Sequence, residues 1–266
     1  MNDANRTPWV VGVSGASGTP YAAAVLRGLL DAGESVDLVV SRASRLTLLD
    51  ETGIAFRDAH RQDDLRTWLE RGADGKPGTF RVDVGAVRHW AAGDLAAGPS
   101  SGSYPVKGML IVPASTACVA GVALGLSKDL LQRAASVTLK ERRRLVVAVR
   151  ETPLNGQTLR HLVALDEAGA VVLPASPAFY AGATHIQDLV DFVAGRVLDA
   201  AGVAHGLYRR WEGELGAPGP TSRPTGARGG GAARPAGRPL SSIVPDTQGS
   251  AGCTRCTPWI SHAKLR

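Results

Sequence analysis

The chain of 266 residues is poor in most of the residues that announce a specialised chemistry. Three cysteines, Cys118, Cys253 and Cys256, are too few for a disulfide framework, and Cys253-Thr254-Arg255-Cys256 is a C-x-x-C without a second pair. The six histidines show no metal-ligand spacing. No apolar run approaches the ~18 residues of a membrane span. The opening "MNDANRTPW" has no basic stretch followed by an apolar one, so the expected setting is the cytoplasm. Two nucleotide signatures are also missing. The glycines of the first turn, Gly12, Gly15 and Gly18, do not follow G-x-G-x-x-G, and no Gly-Lys-Ser/Thr closes a P-loop. The one Asp pair, Asp63-Asp64, is followed by Thr67 where a metal-binding Asp-Asp-x-x-Asp would need a third carboxylate.

A formal charge of +6 suggests a nucleic-acid partner until it is located. From Ala217 onward there are seven Lys/Arg against the single Asp246, which leaves 23 of the 30 cations and 23 of the 24 anions in the first 216 residues. The body is neutral, which argues against nucleic-acid binding. The segment "APGPTSRPTGARGGGAARPAGRPL" is dense in Gly, Pro and Arg and has no apolar periodicity, so residues 217–266 are expected to be a disordered tail behind one domain, 1–216.

What is present is an alternation of strand-like and helical runs. "WVVGVS" (9–14), "SVDLVVS" (35–41), "GMLIVPAS" (108–115), "LVVAV" (145–149) and "GAVVLPAS" (169–176) read as strands. Helices are expected at 20–33, opened by Pro20 and closed by Gly33, over "RASRLTLLDETG", near 128–140, in "TLRHLVALDEAG" and at about 185–202. Apolar strands separated by helices imply an α/β fold, a Rossmann-like doubly wound parallel sheet. Residues 57–104 are less regular and read as an exposed excursion.

In such a sheet "GVSGASGTPY" (12–21) lies at the carboxyl edge, where backbone N–H groups at a helix start attract phosphate. The second strand ends in Ser41 where NAD binding would want a ribose-holding acid, so a mononucleotide suits the turn better than a dinucleotide. A plain strand-to-helix turn is the alternative. Ser115 and Thr116 in "PASTAC" are either N-caps or ligand donors. "SVTLKERRRLVVAVRETPL" (136–154) packs charges against both ends of a core strand, more tightly than solubility requires.

Taken in order, "GVSGASGTPY", "SRASRLTLLDETG", "SSGS", "IVPAST", "RAASVTLKERRRLVVAVRETPL", "LPASPAFY" and "RVLD…RRW" resemble the flavin prenyltransferases, the UbiX/Pad family, from about residue 9 to Trp211. The resemblance implies a Rossmann-like homododecamer that moves a dimethylallyl group from dimethylallyl phosphate onto reduced FMN, forming bonds at N5 and C6. It implies no metal, and a product, prenylated FMN, that serves UbiD-type decarboxylases. By the same resemblance Gly15, Ala16, Ser17, Ser41, Ser115, Thr116, Ala117, Cys118 and Arg150 contact FMN. Arg133, Lys140, Tyr180 and Arg196 cradle the donor phosphate, Glu151 is the acid/base group, Trp90 faces the allyl unit, Glu51 is a second carboxylate and Trp211 closes the site. Fixed cations would do what Mg²⁺ does in other terpenoid enzymes. On this reading Lys140 and Arg150-Glu151 frame one anionic ligand.

Plainer roles stand beside these. Arg142, Arg143 and Arg144 read as solvated or oligomer-contact charges, Trp90 as a loop anchor, Tyr180 as a packed aromatic and Arg196 as half of a surface salt bridge. Ala114, Cys118, Arg144 and the segment between Phe56 and Trp90 depart from the family pattern. The competing functions are a non-catalytic FMN-binding module and a flavin-dependent cysteinyl decarboxylase. The latter needs an Asn-x-x-Met-Trp motif, which a chain with Met only at 1 and 109 does not contain.

Overall fold

Runs such as Val10-Val11 and Leu145–Val149 are apolar at consecutive positions, and a strand of that kind is stable only with both faces covered. The computed structural model, which describes residues 7–211 and 213, meets that condition. The segment from 217 on, with Cys253 and Cys256, lies outside the described residues. All described residues belong to one unit, 1–221.

Six strands form one parallel sheet: β1 (Trp9–Val13), β2 (Val36–Val40), β3 (Val87–Ala91), β4 (Gly108–Ala114), β5 (Arg144–Val149) and β6 (Val171–Pro174). Their order is β3-β2-β1-β4-β5-β6, so the winding reverses between β1 and β4. Seven helices are described: α1 (Thr19–Asp31), α2 (Arg42–Thr52), α3 (Arg61–Leu69), α4 (Thr116–Ala123), α5 (Leu130–Lys140), α6 (Gly156–Glu167) and α7 (Ile186–Ala201).

Alternate strand residues feed two cores. Val11, Val13, Leu110 and Val112 pack with α1, α3 and α7; Val10, Met109, Ile111 and Val147 pack with α4, α5 and α6. The doubly wound sheet is therefore as expected. The excursion differs. Residues 61–69 form α3, whose Leu65, Trp68 and Leu69 are buried, and Val87–Ala91 adds the edge strand β3. Charged Arg61, Asp63, Asp64 and Arg66 mask an apolar face that needs only three large side chains. The guanidinium of buried Arg27 fastens this segment to α1, donating to the Leu69 carbonyl at 3.1 Å and lying 3.9 Å over the Phe80 ring.

The arginine run is also more structural than its exposure in sequence suggests. Arg143 donates to the carbonyls of Gly102 (2.7 Å) and Tyr104 (3.0 Å), and Arg144 to that of Ala200 (2.6 Å), at the end of α7. Tyr104 in turn donates to Asp37 of β2 at 2.9 Å, so the "SSGS" segment is strapped across the sheet.

Candidate active site

A reversal of strand order leaves a crevice at the carboxyl edge, because the connections from β1 and β4 leave in opposite directions. One side chain holds the crevice to a fixed width. Ser14, 2 % exposed, donates to the Pro113 carbonyl at 2.8 Å and accepts from the Ser115 N–H at 2.7 Å, joining the turn after β1 to the turn after β4. Neighbouring strand ends are stitched alike: Ser41 N–H to Val13 O at 3.0 Å, and Arg150 N–H to Ala114 O at 3.1 Å.

Within the first turn, Gly15 is required by close approach. A Cβ there would sit 2.5 Å from the Ala43 Cβ, so only glycine lets the start of α2 lie against the turn. Ala16 is buried and Ser17 exposed beside it. The N-terminus of α1 is already occupied by the chain itself. Glu51, on α2, accepts from the N–H groups of Gly18 and Thr19 at 2.8 Å each and from the Thr19 hydroxyl at 2.6 Å. Burial pushes the Glu51 carboxyl up, but donations from Ser17, Thr19 and the Gly18 and Thr19 backbone outweigh it and hold the group below the usual glutamate value. The phosphate-attracting end expected of this turn is thus neutralised by a carboxylate.

Two other helix starts face the crevice. Ser41 caps α2, accepting from Ser44 N–H at 3.1 Å, and Ser115 caps α4, accepting from Cys118 N–H at 3.3 Å. Both serines are N-caps; Thr116 and Ala117 follow in the first turn of α4 with partial or full exposure. The Cys118 thiol is buried and pushed up to about 12, so it is no nucleophile. Tyr21, in the first turn of α1, is raised chiefly by burial, with the charge of Arg150 lowering it and that of Glu51 raising it. Glu151 is exposed and its Oε1 accepts from Thr152 N–H at 3.0 Å.

The carboxyl edge thus gathers Gly15, Ala16, Ser17, Ser41, Glu51, Ser115–Cys118, Arg150 and Glu151. Among the described residues no hydrogen bond, ion pair or ring contact joins the remaining candidates to that group. Arg133, near the start of α5, donates to the Ser100 carbonyl at 3.0 Å. Lys140 ends α5, pairs with Glu141, and precedes β5, whereas Glu151 follows it. A six-residue strand at ~3.3 Å per residue separates their backbones by about 20 Å, at opposite edges of the sheet. One chain does not let Lys140 and Glu151 frame one ligand. Trp90 lies on β3, a strand rather than a loop, partly buried with its indole N–H enclosed. Tyr180 and Trp211 are half exposed, ring centroids 5.9 Å apart and nearly perpendicular. Arg196 is paired with Asp199 at 3.0 Å in the second half of α7.

Ser14, Tyr21 and Asp199 were not singled out from sequence. Ser14 carried a signal, a hydroxyl closing an otherwise apolar strand; the other two did not. Among the described residues no group of three His, Cys, Asp or Glu side chains could hold a metal ion, and no helix is long and apolar enough to cross a membrane.

Comparison with known proteins agrees along most of the chain. The Flavoprotein family matches residues 1–198. A flavin prenyltransferase UbiX of Streptomyces coelicolor is 87 % identical over 219 residues, 82 % of this chain and 100 % of the relative, and one from Synechocystis is 40 % identical over 208 residues, 78 % of this chain and 97 % of the relative. The crystal structure of AnUbiX (PadA1) with FMN and dimethylallyl pyrophosphate is 34 % identical and superposes with a TM-score of 0.67, covering 79 % of this chain and all of that one. A dodecameric FMN-dependent UbiX-like decarboxylase from Escherichia coli O157:H7 gives 32 % and 0.66, covering 78 % of this chain and all of that one.

Proposed function

The chain belongs to the Flavoprotein family and, within it, to the flavin prenyltransferases, and from that premise we propose that it transfers a dimethylallyl group from dimethylallyl phosphate to reduced FMN. The observation that carries the reading is the crevice between β1 and β4. Its width is fixed by Ser14, its floor is the glycine turn, and two carboxylates, Glu51 and Glu151, stand near its rim with Arg150.

That crevice fits a flavin mononucleotide. Backbone approaches closely at Gly15, Ser17 is exposed, and the starts of α2 and α4 present N–H groups capped by Ser41 and Ser115. Reduced FMN supplies the nucleophilic N5 and C6. The side chains do the rest. Departure of the donor phosphate concentrates negative charge on oxygen, and on this reading Arg133, Arg196, the Tyr180 hydroxyl and the Lys140 of another copy receive it. A preorganised cation of this kind contributes about 3 kcal/mol to such a step, which is why no metal is needed. Glu51, held ionised by its three donors, has no proton to give; Glu151 protonates the leaving group, and the carboxylate so formed, exposed and bound among the described residues to the Thr152 N–H, takes the proton released when the second bond forms. Trp90, near the carboxyl end of β3, offers the aromatic face for the allylic cation.

Because Lys140 lies at the amino edge, the cradle is completed by another copy of the chain. Supporting this, β6 leaves an edge with Val171 partly uncovered, and Phe179, Leu159 and Val163 are exposed nearby in sequence, surface that a homo-oligomer would cover. The assembly this reading calls for is a dodecamer like that of the E. coli UbiX-like decarboxylase. The product is taken up by a UbiD-type decarboxylase, and the setting is the cytoplasm, where three cysteines stay reduced.

The test is direct. Purified protein, reduced FMN and dimethylallyl phosphate are incubated anaerobically with EDTA. Flavin heavier by one C5H8 unit is the expected product; unchanged FMN in a protein that binds both ligands would sink the reading.

A further inference from the structure

Asp199 has four polar partners, and no part of the reading above gives it a task. It sits near the end of α7, mostly buried. Its Oδ2 accepts from Arg196 at 3.0 Å and from the Tyr208 hydroxyl at 2.5 Å; its Oδ1 accepts from Arg210 at 2.6 Å and meets His205 Nε2 at 3.0 Å. Burial opposes the charge, but donations from Arg210, Tyr208 and His205 prevail and hold the carboxyl at about 2. Three of the four partners come from 205–210, the stretch that turns back along α7 after Gly202, whose φ of 77° suits glycine.

The seat for that stretch is built into the helix. A Cβ at Gly195 would lie 2.5 Å from the Tyr208 ring and 2.7 Å from His205, so a glycine in mid-helix, normally unfavourable, is what admits both rings. From Tyr208 a file of aromatic contacts leads outward: Phe192 at 4.8 Å, Tyr180 at 5.7 Å from Phe192, and Trp211 at 5.9 Å from Tyr180. One carboxylate thus governs two things together, the direction of the Arg196 guanidinium and the place of the backbone that delivers Trp211 onto Tyr180.

We propose that Asp199 is a positioning residue for the prenyl donor, fixing Arg196 and clasping segment 205–210 so that Arg196, Tyr180 and Trp211 form one preorganised phosphate-gripping face. This rests on the prenyltransferase reading, and on Arg196 and Tyr180 as donor-binding groups. Among the described residues Arg196 spends one guanidinium nitrogen on Asp199 and Tyr208, which leaves its other N–H groups for an anion. A neutral or missing side chain at 199 leaves Arg196 free to swing and releases the strap.

The experiment uses the full chain carrying Asp199→Asn, with Tyr208→Phe as a milder variant that keeps the Arg196–Asp199 pair. Prenylated flavin formation is measured against dimethylallyl phosphate concentration at saturating reduced FMN, alongside FMN affinity and trypsin cleavage after Arg209 and Arg210. Asp199→Asn is expected to raise the donor KM by ~10-fold to ~100-fold with kcat within ~3-fold, to leave FMN affinity unchanged, and to speed cleavage by about tenfold or more. Tyr208→Phe is expected to raise the KM by only ~2-fold to ~5-fold. Asp199→Glu, restoring the charge, should recover part of the loss. An unchanged donor KM, or parallel losses of FMN affinity and kcat at constant KM, would overturn the proposal. If the wild type forms no prenylated flavin, the prenyltransferase reading has failed. The clasp is then judged on cleavage alone, where equal rates in wild type, Asp199→Asn and Tyr208→Phe overturn it.

Discussion

Replacing Glu51 by Gln separates the charge of that side chain from its shape. In the native turn the carboxylate receives two backbone N–H groups and a hydroxyl, all within 2.6–2.8 Å. A hydrogen bond to a charged acceptor contributes about 1.5–3 kcal/mol, and a negative charge at a helix N-terminus adds about 0.3–1 kcal/mol. The Gln amide oxygen can keep one or two of the donors, and its NH2 group must face a third. Glu51 is only half buried, so the net loss is about 2 kcal/mol, or ~4–8 °C in Tm for a domain of this size. The pH dependence follows from the depressed carboxyl. Between the folded value and the ordinary one of 4.5 the unfolded chain binds more protons, so this stabilisation is complete above pH 4.5 and is lost as pH falls through the folded value. Thermal melts of wild type and Glu51→Gln from pH 3.5 to 7 should therefore differ most at neutral pH and converge in acid. Equal melting temperatures at pH 7, or a gap that persists unchanged at pH 3.5, would refute the assignment of this carboxylate as an ionised cap.

Two further substitutions probe the crevice. Gly15→Ala drives a methyl to within 2.5 Å of the Ala43 Cβ, and overpacking of that kind costs about 1–3 kcal/mol, so FMN affinity measured by fluorescence titration should fall about tenfold; native affinity would show that the turn yields without consequence. Glu151→Gln should bind FMN like the wild type, since the side chain is exposed and holds only the Thr152 N–H, while turnover drops by about 10²–10⁴-fold. Wild-type turnover would remove Glu151 from the chemistry.

The sheet was legible wherever strands are buried on both faces, because β1, β4 and β5 read as apolar runs and β2 is interrupted only by Asp37. Strand β3, "VRHWA", was not, since an edge strand with charged and half-exposed residues lacks that signature. Helix α3 was hidden for a related reason: Asp and Arg outnumber the three side chains that bury it. At the site, the turn glycines and the capping serines announced themselves through composition. Contacts between distant segments did not. Glu51 meets Gly18 across 33 residues and Ser14 meets Ser115 across 101, and nothing local encodes either pairing. The sharpest lesson concerns Lys140 and Glu151. They stand eleven residues apart with a core strand between them, and a parallel strand carries its two ends to opposite edges of the sheet, so closeness in sequence meant separation in space.

That separation gives the most direct measurement. Lys140→Ala and Glu151→Gln chains are each expected to be nearly inactive, while coexpressed chains that mix at random should place an intact Lys140 from one copy against an intact Glu151 of another at about a quarter of the sites. Recovery of prenylated-FMN formation to roughly that fraction in the mixed assembly is the predicted result. Mixed assemblies as inactive as either parent would contradict a site shared between copies.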